Sequence, residues 1–540
     1  MKVHEAVAHT LSKLGVQTMF GLVGDANLLM VHSYVSDGGH YVSAANEASA
    51  TLMAIGFAST SGQLGVATVT HGPGLTNTVT GLVHGVRSRT PVVLIASDTA
   101  AADRDHLQNI DQREIVSATG AGFEQLRSPA TVAQDVSRAC RRAVEERRPV
   151  VLNTPTDFKL ADTDAPGELV LPASHQAIGA DAAALDAAVG LIASAHRPIV
   201  LAGRGASSPA AKAALIRLAD RIGAPLATTL KAKGLFRGHP YDLGLFGTLS
   251  TSLAVDVIGQ SDCIIAFGAS LNEWTTATGA YTAGRRVVHC DIDAAQVGRF
   301  SPVDAAVVGD AAVTADTIVE WLNQAQVDAS GFADAPLAQA IAAWTYEPYR
   351  DLSDQDSVDI RTALRALEEA VPDDRTTVFD AGRFVIPALK MLSAPDPRAW
   401  VPTLDFASIG LGVPTAIGAS FGRPGHPVLL VTGDGGFMLG GLAEFNTAVR
   451  HDVDLIVAVL NDGSYGAELR HLRAYGIDTA LSQFEWPPFA PVAQALGGSG
   501  VTVSSSADLV ELPAAVADRR GPLLIDIKLD PFKVPAPEEG

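Results

Sequence analysis

Two short turns near the C-terminal end of this 540-residue chain carry residues whose types and spacing suit a metal–phosphate site. The first is Gly433-Asp434-Gly435-Gly436 and the second is Asn461-Asp462-Gly463-Ser464-Tyr465-Gly466. Apolar runs precede both, Val428 to Val431 and Leu455 to Leu460, and a helix-like segment lies between them. Strand, acidic turn, helix, strand and second acidic turn make one βαβ unit, which puts both turns at the carboxyl ends of parallel strands. Asp434 and Asp462 can then face one small volume. Two carboxylates, glycines that admit close backbone approach and the free N–H groups of a helix start suit a hydrated Mg²⁺ holding a diphosphate. Each turn alone reads as an ordinary Asp-Gly turn; the two on successive strands favour the site.

The elements that must hold these turns follow from the rest of the chain. Hydrophobic residues make up 47% and aromatic residues 6%, with 50 glycines. That composition fits α/β units with tight turns better than an aromatic-rich sandwich. A formal charge of −20 argues against a nucleic-acid partner. Cys140, Cys263 and Cys290 form no CxxC pair, so neither a structural zinc nor a disulfide framework is expected. The N-terminus begins an amphipathic helix, with Val3, Val7, Leu11 and Leu14 on one face, rather than a signal peptide. No apolar run is long enough to span a bilayer. A soluble, cytoplasmic protein is the expectation.

Strands are predicted at Thr18–Phe20, Tyr41–Ser43, Val66–Val69, Pro91–Ala96 and Pro149–Leu152, alternating with helices. A second block has strands at Ile199–Ala202, Leu226–Thr229, Ile264–Phe267 and Val287–Cys290. An Asp/Pro/Gly/Ala-rich linker, 160–180, precedes that block, and a looser segment from about Gln324 to Asp351 follows it. The fold class is thus α/β, with three doubly wound parallel-sheet domains at 1–160, 181–325 and 350–532.

These residues carry a family resemblance. The chain resembles thiamine-diphosphate-dependent enzymes of the acetolactate synthase, benzoylformate decarboxylase and pyruvate oxidase group over nearly its whole length. The most specific match is Gly433-Asp434-Gly435 with Asn461-Asp462, where the family's second motif has Asn at the position of Asp462. The resemblance implies Mg²⁺ held by the side chains of Asp434 and Asp462 and the carbonyl of Ser464. It implies a pyrimidine-binding, a central and a diphosphate-binding domain. Glu47, in Ala44-Ala45-Asn46-Glu47-Ala48, matches the glutamate that hydrogen-bonds the cofactor's pyrimidine ring and promotes its imino tautomer. Thr70-His71-Gly72-Pro73-Gly74 and Asn77 repeat another signature. Ile409 matches the bulky residue that wedges between the two cofactor rings, and Gly382-Arg383 the turn that touches the terminal phosphate. Further cofactor contacts are implied at Ala407, Gly433, Gly435, Gly436, Tyr465 and Gly466.

The resemblance implies decarboxylation of a 2-oxo acid, ligation of the remaining acyl unit to a carbonyl acceptor, or both. Asp25 and Glu468 lie where pyruvate decarboxylases keep catalytic carboxyls, suited to proton transfer. Gln108, in Leu107-Gln108, is the candidate donor to substrate oxygen, and His71 and His106 are candidate pocket histidines. Gly268-Ala269-Ser270-Leu271 stands where flavin-binding members show Gly-Ala-Arg-Phe, which makes FAD doubtful. A flavin-linked 2-oxo acid oxidase and a non-catalytic cofactor-binding scaffold are the alternatives. The resemblance implies a homodimer or homotetramer, with Glu47 of one chain and Asp434 of another in each site.

Overall fold

The structure, a computed structural model, describes residues 1–533 except 166, 168, 170–176 and 347. The expected linker therefore lies partly, and the tail after residue 533 wholly, outside the described residues.

Among the described residues, eighteen strands form three six-stranded sheets. The first contains β1 (Thr18–Gly21), β2 (His40–Ser43), β3 (Gly65–Val69), β4 (Val92–Asp98), β5 (Gly122–Gln125) and β6 (Val150–Pro155), in the order β2-β1-β3-β4-β6-β5. The second contains β7 (Pro198–Ala202), β8 (Leu226–Thr228), β9 (Asp242–Leu245), β10 (Cys263–Phe267), β11 (Arg286–Asp291) and β12 (Ala305–Val308), ordered β12-β11-β10-β7-β8-β9. The third contains β13 (Thr376–Phe379), β14 (Trp400–Pro402), β15 (Val428–Gly433), β16 (Leu455–Asn461), β17 (Ser499–Val503) and β18 (Leu523–Lys528), ordered β14-β13-β15-β16-β18-β17. Central strands such as β3, β10 and β16 are buried along their whole length, as strands covered by helices on both faces must be.

The chain packs as two compact units. One is Met1–Pro172, Asp351–Ala388 and Val401–Pro535; the other includes Ala173–Arg350 and Leu389–Trp400. In the first unit, a single apolar core joins residues of the first and third sheets, among them Phe20, Met53, Leu94, Ile417, Val428 and Phe445. Two helices make that junction, Glu47–Ser61 and Gly412–Gly422. They approach so closely that a Cβ on Gly418 would stand 1.8 Å from the Met53 carbonyl oxygen, and one on Gly56 2.1 Å from that of Thr415. In the second unit the polar turns after β7 and β10 close on each other, Gly205 N–H donating to the Gly268 carbonyl at 3.1 Å.

Two features depart from expectation. The segment 324–351 contains a helix, Ala335–Ala343, capped by the Asp334 carboxylate, which accepts from Leu337 N–H at 2.9 Å. The segment after Asp434 is not one regular helix: a turn at Asp434–Gly436 runs into a π-helical stretch, Phe437–Gly441, before the helix Leu442–Arg450. Such π stretches are uncommon and often accompany functional sites.

Candidate active site

Strands β15 and β16 are parallel neighbours, with Gly433 in register with Leu460. Their two acidic turns are therefore adjacent. Ser464 N–H donates to both carboxylates, to Asp434 Oδ2 at 3.1 Å and to Asp462 Oδ1 at 2.9 Å. Ser464 Oγ adds a second bond to Asp462 Oδ1 at 2.7 Å. Trp486 Nε1 donates to Asp434 Oδ2 at 2.8 Å, and Arg383 Nε to Asp462 Oδ2 at 2.6 Å. Asp434 is only 2% exposed, and its carboxyl is pushed up to about 7, by burial first and by the charge of Asp462 second. Asn461 steadies the second turn, its side-chain amide bonding the wholly buried Asp526 at 2.8 Å. Tyr465 lies with its ring against Gly435 and edge-on to Phe484. Among the described residues, no three His, Cys, Asp or Glu side chains gather for a metal ion. A cation here has two carboxylates and needs a main-chain oxygen, such as that of Ser464, to complete a protein ligand set.

Asp380 ties three further predicted segments to this centre. It is completely buried and accepts from Ala381 N–H (2.8 Å), Gly410 N–H (3.0 Å) and Thr432 Oγ1 (3.2 Å). The Gly382-Arg383 turn, the Ile409 turn and the strand end before Asp434 thus meet on one carboxylate. Burial pushes that carboxylate up to about 6. Ala407 is exposed, with φ at 55°, and Ile409 is half-buried.

Glu47 is the first residue of its helix, whose N-cap Asn46 accepts from Ala48 N–H at 2.8 Å. Asn77 Nδ2 donates to Glu47 Oε2 at 2.9 Å. Glu444 braces the entry to the helix from below, accepting from Ala45 N–H at 3.0 Å while only 1% exposed. Among the described residues no hydrogen bond or ion pair joins Glu47 to Asp434 or Asp462.

His71 follows β3. It is 5% exposed, neither ring nitrogen has a hydrogen-bond partner, and its ring lies 5.2 Å from that of His106. Burial, then His106, lowers its pKa. Gln112 holds this turn: its Oε1 accepts from Gly72 N–H at 2.9 Å, and its amide bonds Asn153 at 2.6 Å and Ser97 at 2.7 Å. The Gln108 main-chain N–H bonds His106 Nδ1 at 3.2 Å. Asp25 is highly exposed, 3.5 Å from Lys159 Nζ. Glu468 is exposed on the first turn of the helix Gly466–Ala474, with no side-chain partner among the described residues. No motif in the sequence singles out Glu444, Trp486 or Asp526, and Asp380 and Gln112 stand there only as members of the segments Asp380–Phe384 and Asp105–Gln112. Asp380 and Asp526 carry one legible signal, a lone carboxylate closing or interrupting an apolar strand.

Comparison with known proteins agrees along the chain. Residues 1–115 match the N-terminal TPP binding domain of thiamine pyrophosphate enzymes, residues 185–318 their central domain and residues 380–527 their C-terminal TPP binding domain. A sulfoacetaldehyde acetyltransferase of Castellaniella defragrans is 27% identical over 536 residues, covering 94% of this chain and 89% of that protein. A probable acetolactate synthase large subunit of Methanocaldococcus jannaschii is 27% identical over 547 residues, covering 98% and 92%. The acetolactate synthase isozyme 2 large subunit of Escherichia coli is 26% identical over 542 residues, covering 97% and 95%. With the three domains matched in order on the three sheets, this chain belongs to the thiamine pyrophosphate enzymes, as a thiamine-diphosphate-dependent lyase or transferase of the decarboxylation and carboligation class.

Proposed function

We propose that the chain removes CO₂ from a 2-oxo acid and passes the remaining acyl unit to a carbonyl acceptor, in a site completed by a second copy of itself. The observation that carries this reading is the pair of buried carboxylates, Asp434 and Asp462, on adjacent strand ends and sharing the Ser464 N–H. Two like charges held this close in a buried turn suit a divalent cation, which relieves their repulsion and the cost of burying them. Asp434, Asp462 and the Ser464 carbonyl would hold Mg²⁺, with the Gly382-Arg383 turn and the Gly433–Gly436 backbone on the diphosphate. Thiamine diphosphate, when bound, supplies the electron sink that lets a 2-oxo acid lose CO₂.

The chain's own residues orient and move protons. Glu47, fixed at a capped helix start and bonded to Asn77, is placed to hold or share a proton with a ring nitrogen. His71 is neutral, buried and unpartnered at both nitrogens, so it can donate to or accept from a substrate oxygen without first breaking another bond. Asp25 and Lys159 lie near enough to His71 to shift its pKa, and they give this end of the first sheet polar groups for a substrate carboxylate or carbonyl. The relatives named as acetyltransferase and acetolactate synthases support acyl transfer over simple aldehyde release. No helix among the described residues is long and apolar enough to cross a membrane, and the three cysteines are free thiols, which supports a cytoplasmic setting.

Binding and turnover separate the roles. Glu47→Gln should lower turnover by about 10²–10⁴-fold while thiamine diphosphate and Mn²⁺ still bind, because one proton transfer is lost and no cation ligand is. Asp434→Ala should lose Mn²⁺ binding itself. Titration of Mn²⁺ by electron paramagnetic resonance checks both; Glu47→Gln with full activity, or Asp434→Ala with undiminished Mn²⁺ affinity, contradicts the assignment.

A further inference from the structure

Asp462 stands where the family resemblance expects a neutral asparagine, and the fold gives this extra carboxylate a cation of its own. Arg383 Nε donates to Asp462 Oδ2 at 2.6 Å, with the two side chains 9% and 6% exposed. The rest of the guanidinium is held from the other side, Nη2 bonding the Asp530 carbonyl at 3.1 Å and Nη1 that of Pro531 at 3.5 Å. Gly466 leaves the space that the pair occupies: a Cβ there would stand 2.6 Å from Arg383 Cδ and 2.8 Å from Asp462 Oδ2. Among the described residues no other Lys or Arg pairs with Asp434 or Asp462. Arg383 is therefore the one counter-charge to two buried carboxylates.

We propose that Arg383 and Asp462 are a matched pair, in which Arg383 neutralises the carboxylate that replaces asparagine and competes with the divalent cation for it. The inference rests on reading this turn as the metal–diphosphate site. Oδ1 of Asp462 is already occupied by Ser464, so Oδ2 is the oxygen that Arg383 withholds. The pair keeps the carboxylate satisfied before the cation arrives. It also tunes cation affinity downward, since a cation that takes Oδ2 must displace a buried, charge-assisted bond.

A double-mutant cycle on the full chain tests this, using the wild type, Arg383→Gln, Asp462→Asn and the double variant, with Arg383→Lys as a charge-conserving control. In cofactor-free protein each single variant should melt several degrees lower, because each leaves a buried charge alone, whereas the double variant should recover most of the loss. With Mn²⁺ alone, Arg383→Gln should bind about tenfold more tightly than wild type, since the competing guanidinium is gone, while Arg383→Lys stays near wild type. A purely structural role for Arg383 would leave Mn²⁺ affinity unchanged or weaken it. Additive melting effects, or Mn²⁺ affinity unimproved by Arg383→Gln, overturn the proposal. A wild-type chain that binds no Mn²⁺ in the presence of thiamine diphosphate overturns the site reading beneath it, and is distinct from an additive cycle in a chain that binds both.

Discussion

Asp380 is fully buried yet bonds three separate segments of the site, so its protonation is coupled to their arrangement. Burial raises it from 3.8 to about 6, against the pull of the N–H groups of Ala381 and Gly410 and the Thr432 hydroxyl. A folded value above the unfolded one means that folding favours the protonated form. The contribution of Asp380 is complete at pH values below about 4 and is lost as pH rises through about 6. Asp380→Asn carries no such titration. In the cofactor-free chain, the unfolding free energy of wild type relative to Asp380→Asn should therefore fall by about 2 kcal/mol between pH 4 and pH 7. Urea unfolding at the two pH values measures it; a difference independent of pH would show that Asp380 titrates normally.

At the scale of elements, the crossing of the helices Glu47–Ser61 and Gly412–Gly422 fixes the Glu47 helix against the one that follows Ile409. With Met53 O only 1.8 Å from the ideal Cβ position, Gly418→Ala forces the helices apart and should cost about 1–3 kcal/mol. Denaturant midpoints check this, and an unchanged midpoint would mean that the crossing is not tight. Much of this level is legible in the sequence. The runs Val428–Val431 and Leu455–Leu460 mark β15 and β16 because parallel strands covered on both faces read as continuous apolar stretches. The strands that do not show have physical reasons. β17 is an edge strand with only Val503 buried, and β12 alternates buried and exposed residues over only four positions. Asp526 interrupts β18, and its place becomes intelligible only with Asn461 as its partner across the sheet. Glu47 and Asp434 stand out by motif. Gln112, Trp486 and Glu444 act through contacts 40, 52 and 399 residues away in sequence, which no local spacing encodes.

At the scale of the whole molecule, the proposed site is completed by a second copy of the chain. Ser43 and Ala45, beside the Glu47 helix, bond His451 and Glu444 of their own chain, so the strand leading to that helix is anchored on both ends of the helix Leu442–Arg450. In the proposed reading, the Glu47 so held serves a second chain's cofactor. Chains carrying Glu47→Gln and chains carrying Asp434→Ala, each inactive alone, should regain about a quarter of wild-type activity when coexpressed and randomly paired, because half the dimers contain one intact site. Sites built within one chain would regain none.

The most direct test of the central claim is CO₂ release from a panel of 2-oxo acids, measured with and without thiamine diphosphate and Mg²⁺ and with and without carbonyl acceptors, alongside product identification. At least one 2-oxo acid should release CO₂ in a way that depends on both cofactors, with a hydroxyketone or other acyl-transfer product when the acceptor is present. Release that persists without thiamine diphosphate, or its absence across the panel in a chain shown to bind both cofactors, would contradict it.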